Sequence, residues 1–192
     1  MSDVLRVAFV TGSAPDKWAA RWRERSRTRL ALTMVEESEQ RRVLDDDTAD
    51  MVIARLPIDE TDLHVVRLYE ELPVAVVSRE HPAAAYDELP VADLLDEQFV
   101  LGPPAGMTPV SDQLDFPPMS QRDAVEVAAS GSGVVVLPMS VARLLQRKDV
   151  AHVVLTDLPS TQIALVWKRD RDDDDTQAFV GVVKGRTSRS SR

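Results

Sequence analysis

The stretch from Ala128 to Pro138, Ala-Ala-Ser-Gly-Ser-Gly-Val-Val-Val-Leu-Pro, decides the fold class of this chain. Gly131 and Gly133 allow a tight turn that a Cβ would disfavour. The apolar run Val134–Leu137 is typical of a short strand buried on both faces of a parallel sheet. Pro138 ends this strand because proline cannot donate to a ladder. Helix, turn, buried strand and second helix in this order predict one unit of an open α/β sheet.

The chain has 192 residues, a length that suits one large domain or two small lobes with a sizeable core. No apolar run approaches the roughly 20 residues that span a membrane, and the first residues lack the basic and apolar regions of a signal peptide. Because the chain has no cysteine, it has neither a disulfide framework nor a thiolate metal site. These features predict a cytoplasmic protein with no membrane partner.

The net charge of -9 argues against general binding of nucleic acid by the whole surface. Basic side chains are nevertheless concentrated in residues 17–29, where Glu24 is the one acid. They are Lys17, Arg21, Arg23, Arg25, Arg27 and Arg29. The last residues, 186–192, form a second basic run. Since charge runs of this kind are mostly solvated surface, we expect no sequence-specific DNA binding by the isolated chain.

Apolar runs with strand character alternate with helical segments along the whole chain. The clearest predicted strands are Leu5–Val10, Leu30–Val35, Met51–Ala54, Leu72–Ser78, Val150–Leu155 and Ile163–Lys168. This alternation predicts mostly parallel sheets with helices on both faces. Ser13 and Ser38 are placed to cap the helices that follow the first two strands.

Six pieces in the same order resemble the effector-binding (substrate-binding) domain of LysR-type transcriptional regulators. They are Leu5–Ala8 with Ser13, Asp50–Ala54, Leu72–Val77 with His81-Pro82, Pro90–Leu94, Ala129–Pro138 and Ile163–Arg169. The resemblance implies an α/β, two-lobed fold of the periplasmic-binding-protein type 2. Lobe one then comprises residues 1–77 and 162–185, lobe two comprises 78–161, and 186–192 form a disordered basic tail.

Two departures from the family pattern shape these expectations. The chain starts directly at the effector domain, without the family's winged helix-turn-helix, so we expect a stand-alone domain. The spacing from Phe99 to Pro138 is shorter than usual by a helix-sized piece, so we expect a reduced second lobe.

The resemblance implies that an effector binds between the lobes, and we expect a small organic anion. Helix N-termini carry unpaired N–H groups and positive partial charge that suit a carboxylate. The predicted ligand-binding residues are Thr11, Gly12, Ser13, Ser38 and Arg55 in lobe one and Pro104, Gly106, Thr108, Gly131 and Ser132 in lobe two. The alternative is that the serines only cap helices and that Arg55 pairs with a nearby acid.

The resemblance also implies a dimer in which the first helix packs against the partner. This helix carries Trp18 and Trp22 at i, i+4, beside Arg25, and exposed tryptophan with arginine is favoured at interfaces. The alternative is that both tryptophans pack inside their own lobe.

Catalytic chemistry has no support in the sequence. His64, His81 and His152 have no metal-ligand spacing to one another, and no nucleophile pairs with a base. We expect no catalytic residues, no metal and no cofactor. The predicted function is effector binding in transcription regulation, and the alternative is a ligand-free interaction module that pairs with itself or with a full-length regulator.

Overall fold

A computed structural model describes residues 3–185 and divides the chain into two compact units. The first unit contains described residues 3–70 and 162–185, and the second contains 71–161. In chain order the strands are β1 (Val4–Val10), β2 (Arg29–Val35), β3 (Met51–Arg55), β4 (Leu63–Glu71), β5 (Pro73–Ser78), β6 (Glu88–Leu89), β7 (Val135–Pro138), β8 (Val150–Leu155) and β9 (Thr161–Lys168). The α-helices are α1 (Asp16–Arg25), α2 (Arg42–Asp45), α3 (Gln121–Ala129), α4 (Met139–Leu144) and α5 (Asp174–Val183).

The first unit is built on a sheet with the strand order β2-β1-β3-β9-β4. Strand β1 pairs in parallel with β2 and with β3, whereas β3 pairs antiparallel with β9. All five residues of β3 are buried, because helices cover both faces of a central strand in such a sheet. The carboxyl ends of β1, β2 and β3 therefore lie at one edge of the sheet.

Helix α1 packs on this sheet through Ala19 and Trp22. The Trp22 ring meets Phe179 of α5 edge to face, with ring centroids 5.6 Å apart. Its indole Nε1 donates to the carbonyl oxygen of Thr28 at 2.8 Å, which satisfies the polar group of an otherwise apolar side chain. Trp22 is thus a core residue of the first unit.

The second unit holds a sheet with the order β6-β8-β5-β7. Strand β5 pairs antiparallel with both β7 and β8, and β6 pairs in parallel with β8. The expectation that β7 belongs to a parallel ladder is wrong for its pairing with β5. Strands β7 and β8 run parallel to each other on either side of β5, and α4 makes the crossover that parallel strands require. A run of apolar residues cannot show strand direction, since burial on both faces occurs in either case.

The glycine turn before β7 has the predicted tight geometry. Gly131 adopts a φ of +79°, in the left-handed region that favours glycine. A Cβ on Gly133 would stand 2.5 Å from the carbonyl oxygen of Gln98, so only glycine fits there. This close approach allows the short parallel bridge between Phe99 and Val134.

The division between the units differs from the sequence-based boundary at 77. Strand β5 (Pro73–Ser78) belongs to the second unit because its ladder partners, β7 and β8, lie there. From Leu95 to Ser120 the chain forms no helix, and the isolated bridge at Phe99 is its one sheet contact. The predicted disordered tail, 186–192, lies outside the described residues. Within 3–185, no helix has the length and apolar character needed to cross a bilayer.

Candidate functional site

The carboxyl edge of the first sheet brings three predicted site segments together. Thr11 follows β1, the short 3₁₀ helix Glu37–Glu39 follows β2, and Arg55 ends β3. The backbone N–H of Thr11 donates to the carbonyl oxygen of Val35 at 3.2 Å, which ties the first two segments to each other. In sheets of this type, ligands bind where parallel strands end.

Arg55 is the buried cation of this edge, with a side chain only 3% exposed. Its guanidinium donates from Nη1 to Glu37 Oε2 at 3.0 Å and from Nη2 to the carbonyl oxygen of Thr11 at 3.2 Å. The sequence left two alternatives for Arg55, an anionic ligand or a nearby acid. In this structure the Arg55 side chain pairs with an acid, Glu37. Glu37 itself was not among the predicted site residues.

Gln40 positions Arg55 through a two-point backbone clamp. Its side-chain amide donates to the carbonyl oxygen of Arg55 at 2.8 Å and accepts from the Arg55 N–H at 2.9 Å. Gln40 is 5% exposed, so both hydrogen bonds are shielded from water. No local pattern marks this residue, because its partner lies 15 positions away in the sequence.

Thr11 and Ser13 supply hydroxyl groups that lack partners. Both side-chain oxygens are buried and make no hydrogen bond within the described residues, and Ser13 as a whole is 8% exposed. The prediction that Ser13 caps the first helix is wrong. Helix α1 begins later, at Asp16, with Pro15 at the cap position and no side-chain cap bond. Between the two residues, Gly12 adopts a φ of +92°.

Ser38 is also not a helix cap. It lies in the middle of the 3₁₀ helix Glu37–Glu39, whose cap position is Glu36, and its side chain is exposed. The following helix, α2, spans only Arg42–Asp45. The acidic start of this segment forms ion pairs instead, such as Arg42 with Glu39 at 3.4 Å.

The predicted loops of the second unit are the turn that precedes β7 and the loop that follows the Phe99 bridge. Gly131 lies beside Ser78, at the end of β5, around a cavity of about 460 Å³, and Ser132 follows it in the turn that precedes β7. The loop that holds Pro104, Gly106 and Thr108 follows the Phe99 bridge after a turn in which the N–H of Gly102 donates to the carbonyl oxygen of Phe99 at 3.0 Å. None of Pro104, Gly106 and Thr108 lines the cavity beside Gly131.

Their side chains also differ from those of the first sheet. Gly106 and Thr108 are exposed and Pro104 is half-buried. The Ser132 hydroxyl is 2.9 Å from that of Ser130, which donates in turn to the carbonyl oxygen of Val127 at 2.6 Å. These hydroxyl groups are satisfied within their own turn.

The three predicted interface residues differ in their exposure. Trp22 is 1% exposed and unavailable to a partner, so for this residue the alternative of packing within its own unit is correct. Trp18 is partly buried against the same core, and Arg25 is exposed at the end of α1.

The histidines do not form a catalytic or metal-binding group. His81 Nε2 lies 2.9 Å from Glu97 Oε1, while its Nδ1 accepts from the N–H of Ala83 at 3.1 Å and so caps a 3₁₀ turn. Burial, with a smaller contribution from the charge of Arg143, lowers the pKa of His152. Across residues 3–185, no cluster of three or more His, Cys, Asp or Glu side chains could hold a metal ion.

Comparison with known proteins agrees with this architecture. A family model described as the LysR substrate binding domain matches residues 2–188. The HTH-type transcriptional regulator CatR of Pseudomonas putida is 27% identical over 163 residues, which cover 78% of this chain and 56% of CatR. The chain thus spans little more than half the length of this relative.

Two solved structures show the fold at low sequence identity. The BenM effector binding domain with its effector benzoate has a TM-score of 0.78 at 18% identity, covering 95% of this chain and 90% of that one. Full-length CbnR complexed with its target DNA has a TM-score of 0.72 at 17% identity, covering 95% and 70%. The predicted α/β fold of the type 2 periplasmic-binding-protein class is confirmed.

Proposed function

Because the chain belongs to the LysR substrate-binding domain family, we propose that it binds a small organic carboxylate in the service of transcription regulation. The proposed contacts are Thr11, Ser13 and Arg55. One observation carries this assignment: two buried hydroxyl groups without partners stand beside a buried arginine at the carboxyl edge of parallel strands. Ser38, which is exposed, lies at the rim of this group.

The energetics favour a ligand at this edge. A buried hydroxyl without a hydrogen bond costs about 1–3 kcal/mol, so a carboxylate that accepts from both Thr11 and Ser13 removes that cost. The N-terminus of α1, which begins three residues after Ser13, adds positive partial charge on the same side. Arg55, the last residue of β3, contacts the turn after β1 because its side chain donates to the Thr11 carbonyl oxygen. Its guanidinium supplies a full positive charge.

The relatives support the ligand class. BenM is described with benzoate as its effector, and CatR is described as a transcriptional regulator. Benzoate is therefore the first probe to use on this chain.

The proposal also includes a place in the cytoplasm and a dimer that forms through the α1 face, with Trp18 and Arg25. A mass equal to that of the monomer at every concentration, measured by light scattering, would refute the dimer.

The test is a thermal-unfolding titration with benzoate and with benzamide, its neutral isostere. Benzoate at 100 times its Kd should stabilise the wild-type chain by about 2.7 kcal/mol, and benzamide should have little effect. A chain with Thr11→Val and Ser13→Ala should lose this response, whereas Thr33→Val, at an exposed position of β2, should keep it. An equal response of the double variant and the wild type would place the ligand elsewhere.

A further inference from the structure

Arg55 is held on one side by rigid partners and on the other by a side chain that can leave. Gln40 is buried and holds the Arg55 backbone, and the carbonyl oxygen of Thr11, at the end of β1, accepts from the Arg55 side chain. Glu37, in contrast, is 48% exposed at its side chain and lies on a 3₁₀ turn without a side-chain cap bond. Its carboxylate, 3.0 Å from Nη1 of Arg55, is itself a carboxylate on the arginine of the proposed binding site.

We propose that Glu37 is an internal competing anion that determines how tightly this site binds anionic ligands. The inference rests on the proposed function, since it concerns the same arginine. The bound carboxylate takes the place of the Glu37 carboxylate on Nη1, and the Glu37 side chain turns into solvent. Every anionic ligand therefore has to compete with Glu37 for Arg55, whereas a neutral ligand does not.

This competition lowers the affinity of every anionic ligand, so a ligand binds well only if it makes further contacts. A simple anion such as acetate or chloride offers Arg55 one charge in exchange for the charge that it displaces, and gains little. A carboxylate with a larger body also packs against the edge and satisfies Thr11 and Ser13, and those contacts offset the displacement. Glu37 thus excludes common small anions from a site that would otherwise attract them.

Glu39 provides a matched control on the same turn. Its side chain is 47% exposed, nearly the same as that of Glu37, but it pairs with Arg42 at 3.4 Å. Glu39→Gln therefore removes the same charge, two residues away, without touching Arg55. Glu37→Gln keeps a carbonyl oxygen that can accept from Arg55, so the geometry is retained while the charge is lost.

The experiment is calorimetric titration of the full chain with benzoate, benzamide and acetate. Glu37→Gln should tighten benzoate by roughly 4- to 20-fold, the Coulomb estimate for losing an ion pair whose charge centres are about 5 Å apart at an effective dielectric constant of about 40 to 80. Acetate should gain by a similar factor, and benzamide should not change. Glu39→Gln should bind benzoate within about twofold of the wild type, because its charge is more distant and screened.

Three outcomes would overturn the inference. Benzoate binding that is unchanged or weaker in Glu37→Gln, with the wild type binding, would make Glu37 a structural partner of Arg55 and leave the proposed function intact. Equal tightening by Glu37→Gln and Glu39→Gln would indicate a general field effect. If neither the wild type nor Glu37→Gln binds benzoate, while both melt cooperatively, the proposed function fails and the inference fails with it.

Discussion

More polar and charged residues are buried in the first unit than in the second. Among residues 3–185, six polar or charged residues are buried, and all except Glu71 belong to the first unit. Those five are Ser13, Gln40, Asp50, Arg55 and Thr176. A buried polar group lowers stability unless it has a hydrogen-bond partner. Of these five residues, Gln40, Asp50, Arg55 and Thr176 have such partners, whereas the Ser13 hydroxyl has none.

In the second unit, several exposed loop side chains form hydrogen bonds with other parts of the same loops. Gln113 accepts from the N–H of Phe99 at 2.8 Å, and Gln98 accepts from the N–H of Leu114 at 2.7 Å. Ser130 and Ser132 bond to each other. These two hydroxyl groups are satisfied, whereas Thr11 and Ser13 keep buried oxygens without partners that a ligand can still satisfy.

The largest contrast is expected between two aspartates, Asp50 and Asp149. Asp50 is 4% exposed and accepts from the backbone and side chain of Arg6 and from Arg171. Asp149 is exposed and pairs with Arg147 at 2.8 Å. Asp50→Asn should destabilise the chain by roughly 2–4 kcal/mol, since it leaves two arginines without their shared partner. Asp149→Asn should have an effect near zero, because exposed ion pairs contribute little. Urea unfolding at pH 7 measures both.

The pH dependence sharpens the same contrast. Burial acts to raise the pKa of Asp50, but hydrogen bonds from Arg6 and the charges of Arg6 and Arg171 outweigh it and lower the pKa. A lowered folded-state pKa gives stability that is present above the unfolded value of about 3.9 and is lost as the pH falls through the folded value. Asp50→Asn should therefore flatten the loss of stability below pH 4. An unchanged acid profile would show that Asp50 is not a source of it.

The next contrast compares two glutamine clamps. Gln40 and Gln113 each hold the backbone of a distant segment, but Gln40 is buried and Gln113 is exposed. Gln40→Ala should cost roughly 2–3 kcal/mol, because it leaves the backbone N–H and carbonyl of Arg55 unpaired. Gln113→Ala should cost less than about 1 kcal/mol, since water can replace the amide. An equal loss of unfolding free energy in the two variants, measured by denaturant unfolding, would show that burial does not set the strength of these clamps.

The smallest contrast concerns two serines. Ser13→Ala removes a buried hydroxyl that has no partner and should raise the stability of the ligand-free chain by about 0.5–1 kcal/mol. Ser130→Ala removes a satisfied hydroxyl at an exposed turn and should lower stability by at most about 0.5 kcal/mol. The opposite sign for Ser13→Ala, measured by thermal unfolding, would mean that water already satisfies this hydroxyl.

Local features of this chain could be predicted because they depend on neighbours in the sequence. The apolar run at Met51 predicts a buried strand, and β3 is buried at every residue. The glycines of the turn before β7 predict left-handed backbone, and Gly131 has it. The order of such pieces was enough to identify the family that the comparisons confirm.

The site and the strand directions were decided by tertiary structure alone. Ser13 is of a residue type that often caps helices, yet the helix begins at Asp16 with Pro15 at the cap position, and the Ser13 hydroxyl stays unpaired. Gln40 and Glu37 join the site because parallel strands bring residues 15 and 18 positions away onto Arg55. Propensity and periodicity describe a residue and its near neighbours, whereas these contacts arise from the pairing of distant strands, which the amino-acid pattern of any one segment does not contain.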